Sequence, residues 1–154
     1  MALNPGCVGT TYPPARPYPV EAETIRRFAE AVGDPAPVYT DLRAAKDLGH
    51  PAVPAPPTFP FVVAMRAMDE VFSYEDIGFD PTYLIHGEQR FEYTRPVRAG
   101  DRLVTTVGIT GAKRLRGKDV LSLRADVADE DGEPVVALHM TFVSLSAVEG
   151  GGSA

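Results

Sequence analysis

Residues 58–72 read TFPFVVAMRAMDEVF, and apolar side chains surround most of the helix that this stretch predicts. Thr58 is placed to cap the helix, and Pro60 is tolerated because the first turn leaves its N–H groups without helical partners. A helix that is apolar on nearly every side is stable when buried and not when it lies on a surface. The stretch therefore predicts a helix at the centre of the fold.

The chain after Gly78 changes to a pattern typical of strands. Segments rich in β-branched and aromatic residues occupy positions 83–93, 102–110, 120–128 and 134–145. We expect residues 111–118 to form a charged hairpin connection, and residues 129–132 to form a turn. A buried helix followed by antiparallel strands predicts an α+β protein with the hot-dog fold, in which the sheet wraps around the helix. A curved sheet with open edges commonly pairs with a second copy, so we also expect a dimer.

The residues before the central helix predict two shorter helices. The chain as far as Val20 is rich in proline and should be extended. Apolar residues then recur on one face of a helix that ends near Gly33, at Ile25, Phe28, Ala29 and Val32. After a loop, Asp41 is placed to cap a second helix over residues 42–48, which Gly49 ends.

Length and composition indicate a small globular protein. The 154 residues, 44% hydrophobic and 23% charged, predict one domain over residues 1–148 and a flexible tail over residues 149–154. Cys7 is the single cysteine, so no disulfide forms within the chain, which fits the cytoplasm. No apolar run reaches 18 residues, and we expect no membrane contact.

Charge is unevenly distributed along the chain. The overall charge of −6 argues against general binding to nucleic acid. Residues 90–118 hold eight basic and two acidic side chains, a net charge of +6, so the remainder carries −12. The basic segment fits a phosphate-bearing or acidic partner, although a solvated face of strands and turns is the simpler interpretation.

Residues 33–41 read GDPAPVYTD. This stretch resembles the Gly-Asp-x-Asn-Pro-x-His signature of R-specific enoyl-thioester hydratases and dehydratases. The Gly-Asp pair and the second proline are present, whereas Ala36 stands at the asparagine position and Tyr39 at the histidine position. Later strings extend the resemblance: HGEQ at 86–89, FEY at 91–93 and RPVRAGD at 95–101.

These motifs make the chain similar to the MaoC-like hydratase and dehydratase superfamily, in its N-terminal dehydratase-domain branch. Within that branch it resembles the A subunit of mycobacterial-type (3R)-hydroxyacyl-carrier-protein dehydratases and small actinobacterial relatives, over about residues 8–145. The resemblance implies elimination of water from a 3-hydroxyacyl thioester, or the reverse hydration. The substrate would be an acyl-CoA or an acyl carrier protein thioester in fatty-acid metabolism.

The resemblance also implies roles for residues of the motif. Asp34 matches the family's acidic catalytic residue, while Tyr39 replaces the histidine that would act as a base. A tyrosine hydroxyl titrates near about 10, so it is a poor base at neutral pH. A-type subunits likewise lack the dyad and help hold the acyl chain while a B partner catalyses, so we expect either a heterodimer with a catalytic hot-dog subunit or a homodimer. Asp34 has a simpler alternative role, which is to bond to its own loop.

The three histidines offer further candidates. His86, on the predicted strand after the central helix, is either a half-buried structural residue or a relocated catalytic acid or base. His50 is expected in a loop, where it can line the opening of the site, and His139 is expected to be structural. Their spacing is not that of metal ligands and the chain has no cysteine cluster, so we expect no metal and no cofactor.

The start of the central helix is the predicted substrate wall. Pro57, Thr58, Phe59 and Val62 are expected to contact the acyl thioester, although the apolar side chains serve the core first. Free backbone N–H groups at the helix start can donate to the thioester oxygen, which gains negative charge during the reaction.

Other functions fit the same sequence. A homodimeric protein that binds acyl thioesters without turnover needs no base. A third possibility is an enzyme whose catalytic pair is Asp34 and His86, or a hot-dog thioesterase, which would release a free thiol from acyl-CoA.

Overall fold

The computed structural model describes residues 3–145. Within that range the helices are α1 (Ala22–Ala31), α2 (Leu42–Asp47) and α3 (Pro60–Phe72), and 3-10 turns cover Pro5–Cys7, Pro37–Tyr39 and Glu75–Ile77. The strands are β1 (Tyr18–Pro19), β2 (Leu84–Tyr93), β3 (Arg102–Leu115), β4 (Lys118–Asp129) and β5 (Pro134–Ser144). The tail predicted over residues 149–154 lies outside the described residues. In the described part of the chain, no helix combines the length and hydrophobicity needed to span a membrane.

The described strands form a single antiparallel sheet. Its order is β1-β3-β4-β5-β2, so the strand that follows α3 in sequence lies at one edge, next to β5. Residues of β3, β4 and β5 alternate between buried and less buried positions, which puts one face of the sheet against the core. Helix α3 packs on that face, and the predicted hot-dog fold is confirmed.

Burial of α3 explains why its sequence has so little polar surface. Residues on most of its faces are buried: Pro60, Val63, Ala64, Ala67, Met68 and Val71. Phe59, immediately before the helix, has no exposed surface at all. Its ring meets Phe28 of α1 edge-on, with 5.4 Å between ring centroids, and Tyr18 of β1 at 6.3 Å. These edge-to-face contacts join the start of α3 to both preceding elements.

The predicted cap at Thr58 is wrong. Phe59 occupies the N-cap position in a helical conformation and makes no side-chain capping bond. The Thr58 carbonyl accepts a hydrogen bond from the Phe61 N–H at 3.1 Å, which tightens the chain into a turn before the helix. A side-chain cap is unnecessary because the N–H groups that it would bind, those of Phe61 and Val62, already bond to the carbonyls of Thr58 and Phe59.

The charged connection predicted over residues 111–118 is also wrong in its extent. Strands β3 and β4 continue to pair as far as Leu115 and Lys118, which leaves a turn of two residues. Both turn residues, Arg116 and Gly117, have positive φ, as two-residue hairpins require. Pairing with a neighbouring strand has overridden the polar composition of this segment.

One position predicted on the apolar face of α1 is exposed. Ile25 and Ala29 are buried and Phe28 is half-buried, but Val32 keeps 52% of its surface accessible. Val32 follows the last helical residue, and the chain leaves the helix direction there.

Replacing Phe59 with alanine should lower the free energy of unfolding by about 3–5 kcal/mol, because the ring is fully buried between α1, β1 and α3. Urea denaturation followed by far-ultraviolet circular dichroism measures the loss. Val32→Ala is the control and should change stability by less than about 0.5 kcal/mol. Equal stability of the two variants would contradict this packing.

Candidate active site

Asp34 is positioned by the C-terminal end of α1. Gly33 has φ of 73°, a left-handed conformation that glycine adopts without strain. The Asp34 N–H then donates to the Ala29 carbonyl at 2.9 Å, which closes the helix in a Schellman motif. The Asp34 carboxylate oxygen Oδ1 accepts a hydrogen bond from the Ala36 N–H at 3.1 Å. The carboxylate therefore does stabilise its own loop, as the simpler interpretation of the sequence expected.

His50 is positioned by the same device at the end of α2. Gly49 has φ of 87° and donates its N–H to the Lys46 carbonyl at 2.9 Å. The His50 N–H donates to the Ala45 carbonyl, also at 2.9 Å. Because Ala45 has no exposed surface, the backbone of His50 is anchored to the protein interior.

Tyr39 ends the 3-10 turn Pro37–Tyr39, which lies between these two helices. The side chain is half-buried and packs against the core. Burial first, and then the negative charge of Asp34, raise the pKa of the Tyr39 hydroxyl above its ordinary value. The hydroxyl consequently stays protonated at neutral pH, where it can donate a hydrogen bond to a ligand and does not accept a proton.

Tyr93, at the end of β2, fixes the proline-rich segment that precedes α3. Its hydroxyl donates to the Pro57 carbonyl at 2.5 Å. Two residues earlier in that segment, the Ala55 N–H donates to the Val97 carbonyl at 2.7 Å. Burial, and then the neighbouring Tyr39, raise the pKa of the Tyr93 hydroxyl, so this group is also protonated at neutral pH.

A cavity of about 340 Å³ lies between these elements. This volume is at the lower end of the range for small-molecule sites. Most of its wall is apolar, and three of its lining side chains are polar: Tyr39, His50 and Tyr93. Apolar side chains and proline rings supply the rest: Val38, Leu48, Pro54, Ala55, Pro57 and Pro96. An apolar cavity with a few convergent polar groups suits an acyl group that carries one polar function.

Fewer backbone N–H groups are free to bind a ligand at the start of α3 than the sequence suggests. The Phe59 and Phe61 N–H groups already bond within the turn, to the carbonyls of Pro56 and Thr58. Pro60 has no N–H, and Ala55 uses its own in the bond to Val97. In this segment of the described chain, the Thr58 N–H is left without a protein acceptor.

The predicted site residues fall into distinct places. Tyr39 and Pro57 line the cavity, and Asp34 is close enough to Tyr39 to influence its titration. Thr58 is exposed next to Pro57, and its side chain does not line the cavity. The last two residues are not in the cavity wall: Phe59 is in the core, and Val62 is half-buried on α3. The catalytic and substrate-binding roles of these residues stay predictions.

His86 lies apart from the cavity wall, and it is exposed and not half-buried as its structural alternative expected. Its ring stacks on Phe61 of α3 and on Phe142 of β5, with 4.8 Å between centroids in both pairs. It faces the helix side of the sheet because it pairs with the buried Phe142. The structure thus places Tyr39 in the cavity wall, Asp34 in the loop that leads to it, and His86 in aromatic contacts along α3.

Tyr93 is the site residue that sequence reasoning missed. Tyr93 pairs with the buried Val136, and the strand alternation places it on the same face as Phe91. The strand pattern predicts the face of the sheet on which Tyr93 lies. It does not predict the hydrogen bond to Pro57, which lies 36 residues away in sequence.

The basic segment does not form one continuous surface. Several of its arginines are paired with carboxylates: Arg90 with Glu92, Arg95 with Asp101 and Asp129, Arg98 with Asp101, and Arg102 with Glu130. Lys113, Arg116 and Lys118 have no ion pair among residues 3–145 and surround the β3–β4 turn. The strand register puts that turn at the opposite end of the sheet from Tyr93. The cavity therefore does not open directly onto these charges within one chain.

The fold and this cavity define a hot-dog protein of the MaoC-like dehydratase type. Residues 7–138 match the family described as "FAS1-like, dehydratase domain region", and the chain belongs to that family. A UPF0336 protein of Streptomyces avermitilis is 51% identical over 150 residues, 97% of this chain and 100% of that protein. Another, from Saccharopolyspora erythraea, is 40% identical over 149 residues, 97% of this chain and 96% of that one.

Two solved structures are similar to this chain as well. A MaoC-like dehydratase superposes with a TM-score of 0.83 and 37% identity, and this chain covers 43% of it. The truncated HadBC (3R-hydroxyacyl-ACP dehydratase) complex from Mycobacterium tuberculosis gives 0.79 and 30% identity, with 97% of that chain covered. In these two comparisons 92% and 90% of this chain is matched. The family resemblance inferred from the sequence motifs is confirmed.

Replacing Tyr93 with phenylalanine should lower the free energy of unfolding by about 1 kcal/mol, because the Pro57 carbonyl loses its donor. Urea denaturation measures the change, and hydrogen exchange should show faster exchange of the Phe59 amide, which bonds to the Pro56 carbonyl in this segment. Tyr83→Phe is the matched control, since Tyr83 is 66% exposed. If both variants match the unsubstituted protein, the Tyr93 bond does not hold this segment.

Proposed function

We propose that this chain is a subunit of a (3R)-hydroxyacyl-thioester dehydratase, which also catalyses the reverse hydration of an enoyl thioester. One observation carries the proposal: the half-buried hydroxyl of Tyr39 stands in the cavity wall at the position where the family signature has histidine. The cavity is shaped for an acyl thioester, but the signature position supplies a hydrogen-bond donor in place of a base.

The thioester carbonyl is the group that this donor suits. Its oxygen gains negative charge when the α-proton is removed in dehydration, or when water adds to the β-carbon in hydration, and donors aimed at that oxygen lower the barrier. The Tyr39 hydroxyl is one such donor, and the free N–H of Thr58, adjacent to the lining residue Pro57, is a second. The apolar wall holds the first carbons of the acyl chain and excludes water.

Rapid turnover requires a second hot-dog subunit. The signature loop itself supplies no base, because Tyr39 stays protonated at neutral pH and Asp34 Oδ1 is engaged by the loop. Strand β2 pairs on one side with β5 and has an open second edge, along which Ile85 is 47% exposed. We propose that a B-type subunit with an intact Asp/His signature pairs at this edge and supplies the fast catalytic step.

The proposed substrates are acyl-CoA and acyl carrier protein thioesters of fatty-acid metabolism. Both carry a phosphopantetheine arm. Lys113, Arg116 and Lys118 at the β3–β4 turn, which form no ion pair within residues 3–145, suit its phosphate. The turn lies away from the cavity of its own chain, so in the proposed dimer it would serve the carrier bound by the other subunit.

The test compares this chain alone, a B-type subunit alone and the two mixed, with hydration of crotonyl-CoA followed by loss of enoyl absorbance. We expect the mixture to be at least about 100-fold faster than this chain alone, which is the usual contribution of a positioned general base. Replacing the signature histidine of the B-type subunit should abolish that gain. Full activity of this chain alone, unaffected by Asp34→Ala, would rule out the dependence on a partner.

The hydrogen bond that Asp34 forms within its own loop supports a second candidate function. This bond to the Ala36 N–H is that of a loop-forming residue, which fits a homodimer that binds acyl thioesters without converting them. In that case calorimetry would detect binding of crotonyl-CoA, and no pairing with a hot-dog partner would produce turnover.

A further inference from the structure

We propose that His50 is the proton-transfer group of the Tyr39 cavity and that this chain's own site carries out a slow hydration of enoyl thioesters. The inference deepens the proposed function and rests on it for the class of substrate. Three side chains in the cavity wall are polar, and His50 is the one of them with a ring nitrogen that accepts a proton.

The backbone of His50 is held as firmly as that of Asp34. Both residues occupy the third position after the last residue of a helix closed by a Schellman motif, and both N–H groups bond to a carbonyl of that helix at 2.9 Å. Pro51 follows His50 and restricts its backbone further. A residue whose position is fixed in this way presents its side chain to the cavity at low entropic cost.

The remaining groups around the cavity leave proton transfer to His50. Tyr39, from the loop after α1, is protonated because burial and Asp34 raise its pKa. Tyr93, from the end of β2, is protonated and donates to the Pro57 carbonyl. The proline-rich segment and α2 contribute apolar lining residues besides His50. Histidine is the side chain type that exchanges protons between pH 5 and 8, so it is the group suited to this task.

The other histidines are placed for different roles. His86 is stacked between Phe61 and Phe142, away from the cavity wall. His139 pairs with the outward-facing Arg90 in the sheet, and its Nε2 lies 3.3 Å from a carboxylate oxygen of Glu92. We therefore assign to His50 the role of relocated acid or base, which the sequence analysis gave as one of two alternatives for His86.

The proposed step adds one water and needs no other reactant. The neutral His50 imidazole takes a proton from water, and the water oxygen bonds to the β-carbon of the enoyl thioester. The electron pair of the C=C bond moves toward the carbonyl, and the thioester oxygen receives a hydrogen bond from Tyr39. The imidazolium then returns its proton to the α-carbon, which gives the 3-hydroxyacyl thioester and restores the neutral ring.

The first test uses this chain alone with crotonyl-CoA at high protein concentration. The unsubstituted chain should hydrate it slowly, and His50→Asn should be slower by about 100-fold or more, the usual loss of a general acid–base group. His139→Asn, on the outer face, is the control and should keep the full rate. No measurable hydration by the chain alone, or a rate that His50→Asn leaves unchanged, overturns the proposal.

A second measurement detects ligand binding and does not require any substituted protein to be catalytically active. The chain has three histidines, so ring C–H signals are few and can be assigned by single substitutions. Saturation with butyryl-CoA, a thioester that cannot be hydrated, should shift the signal of His50 and leave that of His139 in place. A His50 signal that does not move at the highest concentration of butyryl-CoA overturns the proposal, even if His50→Asn fails to fold.

The outcomes separate this inference from the proposed function. If hydration by the chain alone depends on His50 but a B-type subunit adds nothing, His50 is the proton-transfer group and the partner requirement is wrong. If the mixture is fast and the chain alone is inactive, the partner requirement holds and the role of His50 is overturned.

Discussion

The fully buried ring of Phe59 is the contact on which the site depends. It meets Phe28 and Tyr18 edge-on, and so holds the start of α3 against α1 and β1. Prolines before Phe59 prevent a regular element, so the chain reaches the helix as a fixed turn. That turn forms one wall of the cavity, and the loop that leaves α1 forms another. The packing that buries the central helix therefore also sets the distance between the two walls.

Local patterns were sufficient for the fold. The apolar stretch at residues 58–72 predicts the buried helix because a helix that is buried on nearly every face has apolar residues at nearly every position. No local sequence pattern predicted the cavity, because His50 and Tyr93 are distant in sequence and line the same cavity only in the tertiary structure. The same limit explains the errors at Thr58 and at residues 111–118, where a proline turn and strand pairing overrode local preference. Gly33 and Gly49 were correctly predicted from the sequence to end helices. In the structure they also fix the backbones of Asp34 and His50.

Replacement of histidine by Tyr39 changes what this position can do without removing polarity from the cavity. Burial and the charge of Asp34 keep the hydroxyl protonated, so it is suited to stabilise negative charge and unsuited to generate it. A site with a donor on one wall and an imidazole on another separates two tasks that the family signature places in one loop. We propose that such an arrangement holds the thioester and converts it slowly, while a partner subunit supplies the faster proton transfer.

The central claim is that the thioester binds in the Tyr39 cavity, and a crystal structure of this chain with butyryl-CoA tests it most directly. The account predicts the thioester carbonyl oxygen at about 2.7–3.2 Å from the Tyr39 hydroxyl, with the acyl carbons against the proline-rich wall. The thioester bound elsewhere, for example along α3 beside His86, with the Tyr39 cavity empty, would contradict it.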